Sequence, residues 1–339
     1  MYPITEWKKE RLPVIPITDE RINFFAEHGV TMAAVAGCAL SWRTLKLPAA
    51  EGLLDGLEER GLLGRDFNYI EASSGRMAEM FLARAKSRGL LRQQFTFLIR
   101  DDVPGAKKGL VRFSGADRIE PGRKRNPIQL ARDMGGGGWN GNGWNVGSNN
   151  TVNPDQYASP FAYTHYEGWA SESIVEGFGE FDDIVVPVGT GCTMIGLRRG
   201  LHKILKKKPT IVGAMCGDGV EIPGMRDLKR MELIRHPWRE AADVLIDVER
   251  SPSFLCAPWI SWEIDSNVGP SGGAAYVATC LYLQKLLDDG VDLNGRRVLF
   301  VIHDEASQYV GDRMDEFPME AFYPPTATHP RKLIFGNEK

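Results

Sequence analysis

The sequence has 339 residues, of which 43% are hydrophobic and 25% are charged, with a formal net charge of -3. This length allows two domains, and the composition is ordinary for a globular protein. The nearly balanced charge gives no general reason to expect a nucleic acid or an anionic membrane as partner, and no apolar stretch is long enough to span a bilayer.

Strand-like and helix-like segments alternate along the first half of the chain. Apolar runs predict strands at "VTMAAVAG" (30–37), "FNYIEA" (67–72), "QFTFLIR" (94–100) and "DRIE" (117–120). Amphipathic stretches predict helices at 49–63, 76–89, 105–116 and 126–134. The last of these helices has Asn126 as its cap and Pro127 in its first turn. This alternation indicates an α/β protein with mostly parallel sheets.

The segment "GGGGWNGNGWNVGSNNTVNP" (135–154) is too rich in glycine and asparagine to form a regular element. Its simplest interpretation is a flexible surface loop. However, Trp139 and Trp144 are large apolar side chains that a free linker has no use for. The alternative is a loop that orders over a site, as lids do.

The second half of the chain resumes the alternation. A helix is predicted at 164–178, and strands are predicted at 184–188, at 209–216 and within 296–310. Two further stretches, 189–201 and 269–287, are each predicted to begin with a glycine loop and to continue as a helix. The stretch between 217 and about Ser266 lacks a clear period, so we expect it to be irregular.

Three turns rich in glycine, serine and threonine each follow a predicted strand and precede a predicted helix. They are "EASSGRM" (71–77), "VGTGCT" (188–193) and "GPSGGAA" (269–275). In a parallel sheet such turns gather at the carboxyl edge, where ligands bind. In the second turn, the order of strand, glycine loop and helix predicts an anion-binding loop, because free backbone N–H groups and the helix dipole favour negative charge. The alternative is a tight turn with a purely structural role.

Neither of two common nucleotide-binding patterns fits the second turn. It lacks the GxxxxGK[ST] pattern of nucleotide hydrolases. It also lacks GxGxxG, because the next glycine after Gly191 is Gly196, and the following strand offers only a late Asp218 as the acidic residue.

The order of these segments resembles the cysteine synthase and cystathionine β-synthase family, the β-family (fold type II) of pyridoxal-phosphate enzymes. "VGTGCT" is similar to the family's GTGGT phosphate loop, and "IEASSGRM" to its IEATSGN loop. "DQYASPFAYTHY", "GPSGGAA" and "IHDEASQYV" resemble three further family stretches in the same order. The resemblance covers residues 12 to 310. It implies a tryptophan synthase β-like fold of two three-layer αβα domains, a smaller one at 36–150 and a larger cofactor-binding one at 12–35 plus 151–325.

The resemblance requires a lysine that holds pyridoxal phosphate as a Schiff base and moves protons at the substrate Cα. Lys46 stands at the family spacing before the turn Gly61-Leu62, although Leu47-Pro48 replace the usual Asp-Arg pair. The alternative is a solvated lysine at a helix start, where its charge is unfavourable against the helix dipole. We therefore predict Lys46 as the catalytic residue.

The other site residues are implied by the same resemblance. The cofactor phosphate is expected to bind to the loop residues Gly189, Thr190, Gly191, Cys192 and Thr193. The substrate carboxylate is expected to bind to Ser73, Ser74, Gly75 and, from the second domain, Gln156. Cys192 stands where the family usually has glycine. Its thiol either fills space or, at a helix N-terminus, has a lowered pKa and reacts.

Two positions depart from the family. Arg76 replaces the asparagine that contacts the cofactor's 3′-oxygen, so its charge either lies near that oxygen or the substrate, or the side chain swings outward. Gly272 aligns with the serine that faces the pyridine nitrogen, and Ser271 or a water is the expected substitute. Without a strong donor the nitrogen stays neutral, which β-elimination tolerates.

The remaining titratable groups suggest no metal site. The five cysteines are scattered and form no CxxC pair, which speaks against a zinc site and favours reduced thiols. Reduced thiols and the absence of a recognisable signal peptide favour a cytoplasmic protein. His303, Asp304 and Glu305 are consecutive in a predicted strand extension, so their side chains cannot all converge on one ion.

The predicted function is pyridoxal-phosphate dependent β-replacement on O-acetylserine or O-phosphoserine through an aminoacrylate, with sulfide as the nucleophile implied by the resemblance. A product other than cysteine, a non-standard amino acid, is compatible with Arg76. The alternatives are a β-eliminating lyase or dehydratase of the same fold, and a diverged non-catalytic member with a binding or regulatory role. The resemblance also implies a homodimer.

Overall fold

A computed structural model describes residues 4–73, 75–99, 109, 118–121, 126–309 and 328–336. The described strands are β1 (Val14–Pro16), β2 (Thr31–Ala36), β3 (Asn68–Ala72), β4 (Phe95–Ile99), β5 (Arg118–Pro121), β6 (Thr151–Val152), β7 (Asp183–Pro187), β8 (Thr210–Cys216), β9 (Val244–Val248) and β10 (Arg297–Ile302). The described α-helices are α1 (Lys46–Glu59), α2 (Arg76–Ser87), α3 (Pro127–Met134), α4 (Ser171–Phe178), α5 (Cys192–Ile204), α6 (Arg250–Glu263), α7 (Pro270–Asp288) and α8 (Pro330–Phe335).

The chain divides into two units. The first unit consists of Met1–Lys9, Lys46–Tyr166 and Glu232–His236. The second unit consists of Glu10–Leu45, Glu167–Met231 and Pro237–Lys339. The domain boundaries implied by the resemblance stay a prediction.

The first unit contains a parallel sheet with the strand order β5-β4-β3-β6. Helices α1 and α2 pack against each other, while α3 packs on β3 and β4. Helix α3 begins as predicted, because the Asn126 side chain accepts a hydrogen bond from the Ile128 N–H and Pro127 needs no partner for its nitrogen.

The second unit contains a sheet with the order β1-β2-β10-β7-β8-β9, in which β1 is antiparallel to β2 and the other neighbours are parallel. Strands β7 and β10 are buried along almost their whole length, as expected for strands covered on both faces. The core joins these strands to helices α6 and α7. Both sheets therefore confirm the predicted mixed α/β class with mostly parallel strands.

Two predictions for the second unit are wrong. The stretch from 217 to about Ser266, predicted to be irregular, contains strand β9 and helix α6. Helix α6 forms although it contains Pro252 and Pro258, and proline often breaks a helix. Pro252 lies in the first turn, where its missing N–H has no intrahelical partner, and packing against α7 holds the helix together around Pro258. The segment 270–273, predicted as a loop, already forms the first turn of α7.

The other elements predicted within the described residues are found with small differences. The helix predicted at 164–178 is a π-helical turn (Tyr166–Ala170) followed by α4. The short helix predicted at 105–116 lies outside the described residues, Gly109 apart. Among the helices that the structure describes, none combines the length and the apolar character that a membrane crossing needs.

The glycine-rich segment 135–154 is packed rather than free. The rings of Trp139 and Trp144 are buried, with centroids 4.9 Å apart, and Trp144 stacks on Phe161 at 5.5 Å. The Trp144 Nε1–H donates a hydrogen bond of 3.0 Å to the Pro154 carbonyl oxygen. The two tryptophans thus anchor the segment in the first unit, contrary to a flexible surface loop, while a role as a lid stays a prediction.

Helix α1 approaches the turn at Pro160–Tyr163 so closely that Gly52→Ala is expected to destabilise the protein. A Cβ at Gly52 would lie 2.0 Å from the Phe161 carbonyl oxygen, a backbone atom that cannot rotate away. We expect a loss of about 1–3 kcal/mol in the free energy of unfolding by urea denaturation. Gly64→Ala, where a Cβ meets no atom within 4 Å, is the matched control. Equal urea midpoints for the two variants would contradict this packing.

Candidate active site

The phosphate loop predicted at 189–193 connects β7 to the 13-residue helix α5. Gly191 is the N-cap of α5 and has φ = 81°, in the left-handed region that glycine adopts without strain. A Cβ on Gly189 would lie 2.3 Å from the Gly224 carbonyl oxygen, so only glycine fits there. The geometry of the loop therefore requires both glycines.

The loop has the donors that a phosphate group needs. The first N–H groups of α5 have no intrahelical acceptor, and the helix dipole favours an anion at this end. The hydroxyls of Thr190 and Thr193 lie within the same loop, and the Cys192 N–H donates to Thr190 Oγ1 at 3.4 Å. Cys192 is only 3% exposed, which favours a packing role over a reactive thiol. These residues fit the phosphate monoester of pyridoxal phosphate.

A second group of residues lies just after β10. The imidazole Nε2 of His303 is 2.9 Å from Thr193 Oγ1, and the His303 carbonyl oxygen accepts a 2.8 Å hydrogen bond from the Leu45 N–H. The carboxylate of Asp304 accepts hydrogen bonds from the hydroxyls of Thr44 and, at 2.9 Å, Tyr309. This group therefore contacts both the phosphate loop and the segment that leads into Lys46.

The contacts of this group with Thr193, Leu45 and Thr44 join residues more than 100 positions apart, so no local pattern in the sequence predicts them. From the sequence, His303, Asp304 and Glu305 are considered as a metal site and as part of the family-like stretch 302–310, with no role predicted for their side chains. Glu305 instead pairs with Arg43, at 2.9 Å. Within the described ranges, no group of three histidine, cysteine, aspartate or glutamate residues is arranged to hold a metal ion.

Ser271 and Gly272 lie in the first turn of α7. The Ser271 hydroxyl is buried and has no hydrogen-bond partner among the described residues. A buried hydroxyl without a partner costs about 1–3 kcal/mol, so such a group usually meets a ligand or water. A Cβ at Gly272 would lie 2.6 Å from Val268 Cγ1, which disfavours a serine there. The first turn of α7 thus offers the Ser271 hydroxyl, rather than a side chain at position 272, as a hydrogen-bonding group for a ligand.

Lys46 begins α1 in the first unit and is partly buried. The first turn of α1 contains no acidic side chain, and the positive end of a helix dipole disfavours a cation. The role of Lys46 in holding the cofactor stays a prediction.

The predicted substrate loop lies at the end of β3. Ser73 Oγ accepts hydrogen bonds of 3.2 Å from the N–H groups of both Gly75 and Ala78, so it caps α2. Ser74 lies outside the described residues. Arg76 forms a 2.7 Å ion pair with Glu79 one turn later, and both side chains are mostly buried. A carboxylate of the same helix therefore compensates the charge of Arg76.

Gln156 lies beside the same loop. Its side-chain amide donates to the Ala72 carbonyl oxygen at 2.7 Å, and its backbone N–H donates to Glu71 Oε2 at 3.3 Å. Burial, and then the nearby Asp155 carboxylate, raise the pKa of Glu71 to about 8. The structure thus brings Ser73 and Gln156 to one end of β3, beside a buried carboxyl group that the sequence analysis missed.

A buried ion pair between Arg132 and Asp155 lies next to Gln156 in the chain. Arg132 donates to both carboxylate oxygens of Asp155, at 2.8 and 3.0 Å, and both side chains are at least 98% buried. Asp155 also has φ = 53°, in the left-handed region. No local pattern in the sequence predicts this pair, because its members are 23 residues apart.

The chain is 24% identical over 176 residues to the cystathionine β-synthase of Dictyostelium discoideum, a match that covers 48% of this chain and 34% of that protein. The chain thus spans about a third of the length of this relative.

Solved structures share the fold. An O-ureido-L-serine synthase has a TM-score of 0.73 at 17% identity, covering 95% of this chain and 100% of the other. The O-acetylserine dependent cystathionine β-synthase of Helicobacter pylori has a TM-score of 0.73 at 19% identity, covering 92% and 98%. The O-acetylserine sulfhydrylase isoform 3 of Entamoeba histolytica has a TM-score of 0.76 at 17% identity, covering 99% and 96%.

A family model decides the class. The model described as pyridoxal-phosphate dependent enzyme matches residues 43–304, which is most of the chain and begins just before Lys46. This match confirms the predicted family, the enzyme class and pyridoxal phosphate as the cofactor. The chain belongs to the family of pyridoxal-phosphate dependent enzymes.

Proposed function

We propose that the protein catalyses β-replacement on an activated L-serine. The observation that carries this proposal is the pair of contacts made by His303, which links the phosphate loop through Thr193 to Leu45, the residue directly before Lys46. Pyridoxal phosphate supplies an electron sink that stabilises negative charge at the substrate Cα. The side chains described below supply binding, orientation and proton transfer.

Lys46 is proposed to hold the cofactor and then to act as the base at the substrate Cα. An amine that is displaced by the substrate amino group is set free beside the proton that it must remove. The same amine then returns the proton after the new bond to Cβ has formed. This double role explains why the reaction needs a lysine and not only a cation.

The phosphate loop and Ser271 are proposed to hold the cofactor at its two ends. The N–H groups at the start of α5 and the hydroxyls of Thr190 and Thr193 bind the phosphate. Ser271, a neutral donor, would hydrogen-bond the pyridine nitrogen without protonating it, and such a donor would suit loss and replacement of a β-substituent better than transamination.

The end of β3 is proposed to bind the substrate carboxylate. Ser73 and Gly75 precede the 12-residue helix α2, whose N-terminal N–H groups and dipole favour an anion. Gln156, held at the Ala72 carbonyl, adds an amide beside this turn. Arg76 stays paired with Glu79, so its charge is compensated and the carboxylate is bound by the helix N–H groups and the amide.

The class of donor is inferred from the enzymes whose structures are similar to this chain. Two of the similar structures are an O-ureido-L-serine synthase and an O-acetylserine dependent enzyme. We therefore propose an O-acyl or O-phosphoryl serine as the donor. The proposed nucleophile is sulfide or another small nucleophile, so the product is cysteine or a non-standard amino acid. A cytoplasmic homodimer is part of the same proposal.

A donor and nucleophile panel tests this function. The cofactor-loaded protein is incubated with O-acetyl-L-serine, O-phospho-L-serine or L-serine, each with and without sulfide, and the products are identified by mass spectrometry. We expect an activated serine plus sulfide to give cysteine and acetate or phosphate, with little product from L-serine itself. Pyruvate and ammonia in equal yield with and without sulfide would instead indicate elimination. No turnover of any donor by a protein that carries its cofactor would contradict the proposal.

A further inference from the structure

His303 has contacts in two directions, and both lead to the proposed cofactor site. Its side chain is only 6% exposed, directly after the last residue of β10. Its Nε2 atom lies 2.9 Å from Thr193 Oγ1, in the second residue of α5. Its carbonyl oxygen accepts the Leu45 N–H at 2.8 Å. One residue thus contacts both the phosphate loop and the segment that ends at Lys46.

The contact with Thr193 has a chemical consequence for phosphate binding. A hydroxyl can donate one hydrogen bond and accept others. If the imidazole proton is on Nε2, it donates to Thr193 Oγ1, and the hydroxyl proton remains for a different acceptor. A phosphate dianion accepts hydrogen bonds but donates none, so it requires the hydroxyl in this orientation.

We propose that His303 is a positioning residue that orients the Thr193 hydroxyl as a donor to the cofactor phosphate. The inference rests on the proposed function only in assigning the loop 189–193 to pyridoxal phosphate. His303 itself does not touch the reacting atoms. It acts through Thr193, and its backbone carbonyl keeps Leu45 in place whatever side chain is present.

The side-chain role can be separated from mere packing by two amides. Glutamine places its NH₂ group close to the position of the histidine Nε2 atom, whereas asparagine is one methylene shorter and ends near the Nδ1 position. Both are polar and fit a buried site similarly. His303→Gln is therefore expected to keep the contact with Thr193, and His303→Asn is expected to lose it.

The experiment titrates the apoprotein with pyridoxal phosphate and, separately, with pyridoxal, which lacks the phosphate. His303→Asn is expected to raise the Kd for pyridoxal phosphate about tenfold, the effect of one hydrogen bond to a charged group. The Kd for pyridoxal is expected to change less than about twofold, and His303→Gln to stay near the wild type for both ligands. Unfolding midpoints of the apoproteins show whether each variant is folded.

A double-mutant cycle with Thr193→Val completes the test. If His303 acts through the Thr193 hydroxyl, His303→Asn has almost no further effect on the Kd once that hydroxyl is gone. Equal losses for pyridoxal phosphate and pyridoxal, or additive losses in the cycle, would overturn the proposal. A wild type that binds neither ligand would overturn it too. A protein that passes these tests but converts no serine derivative contradicts the proposed function alone, because cofactor affinity is measured without substrate.

Discussion

Lys46→Ala is expected to abolish the visible absorption of the cofactor-loaded protein and to lower its turnover by about 10³-fold or more. The colour arises when the cofactor is joined to the amine of its lysine, and alanine has no amine that could form that bond. The proton at the substrate Cα also loses its base. Treatment of the wild type with borohydride fixes the cofactor to the lysine that holds it, and peptide mass spectrometry then identifies that residue.

Lys285→Ala is the matched control. Lys285 also lies on a helix, but its side chain is 60% exposed and forms an ion pair with Asp289 at 2.8 Å. We expect this variant to keep the absorption and the turnover of the wild type, since an exposed pair contributes little to stability. A Lys46→Ala protein with undiminished visible absorption, or a borohydride label on a different lysine, would refute the assignment of Lys46.

The elements that the sequence predicts well are those that local pattern determines. Strands β3, β7 and β10 are short apolar runs, and a cap with a following proline marks the start of α3. The sequence could not predict α6, because Pro258 is a helix breaker by local rules and only packing against α7 holds the helix together around it.

The candidate site divides in the same way. The glycine loop 189–193 is visible in the sequence because glycine spacing and the strand-to-helix change are local features. The partners of that loop are not visible, since His303 approaches Thr193 from a strand 110 residues away. The same holds for Thr44 and Asp304. Their pairing depends on the order of strands in the sheet, which places β10 beside β2 and β7.

Arg76 shows how a partner can change the meaning of a substitution. An arginine in place of the family asparagine suggests a new charge near the cofactor. However, its ion pair with Glu79, 2.7 Å long and mostly buried, keeps the net charge of this turn close to zero. A change in substrate preference therefore has to come from the shape and hydrogen bonds of the loop rather than from a free positive charge.

The buried carboxyl of Glu71 couples the stability of the first unit to pH. Its side chain is 2% exposed, and its two oxygens accept hydrogen bonds from the N–H groups of Ala72 and Gln156, at 3.0 and 3.3 Å. Burial first, and then the Asp155 carboxylate, raise the pKa of Glu71 from its ordinary 4.5 to about 8. The folded protein thus keeps this proton over a range of pH in which the unfolded chain has lost it.

The sign of the effect follows from proton binding. Between pH 4.5 and about 8 the folded state binds one proton more than the unfolded state at Glu71, so stability falls as pH rises. The contribution of this group is about 1.4 kcal/mol of unfolding free energy per pH unit, or roughly 5 kcal/mol over the window. The stabilising effect is complete below pH 4.5 and is lost as the pH approaches 8.

Glu71→Gln is expected to remove this dependence, because glutamine does not titrate. At pH 5 the variant should be about as stable as the wild type or about 1 kcal/mol less stable, since one of the two accepted hydrogen bonds meets an NH₂ group. At pH 8 it should be the more stable protein by several kcal/mol. Urea unfolding curves at pH 5, 6, 7 and 8 measure the difference.

Glu176→Gln, at a glutamate that is 55% exposed and pairs with Arg11, should instead follow the pH slope of the wild type. Parallel pH profiles for Glu71→Gln and the wild type would show that Glu71 is ionised in the folded protein throughout this range.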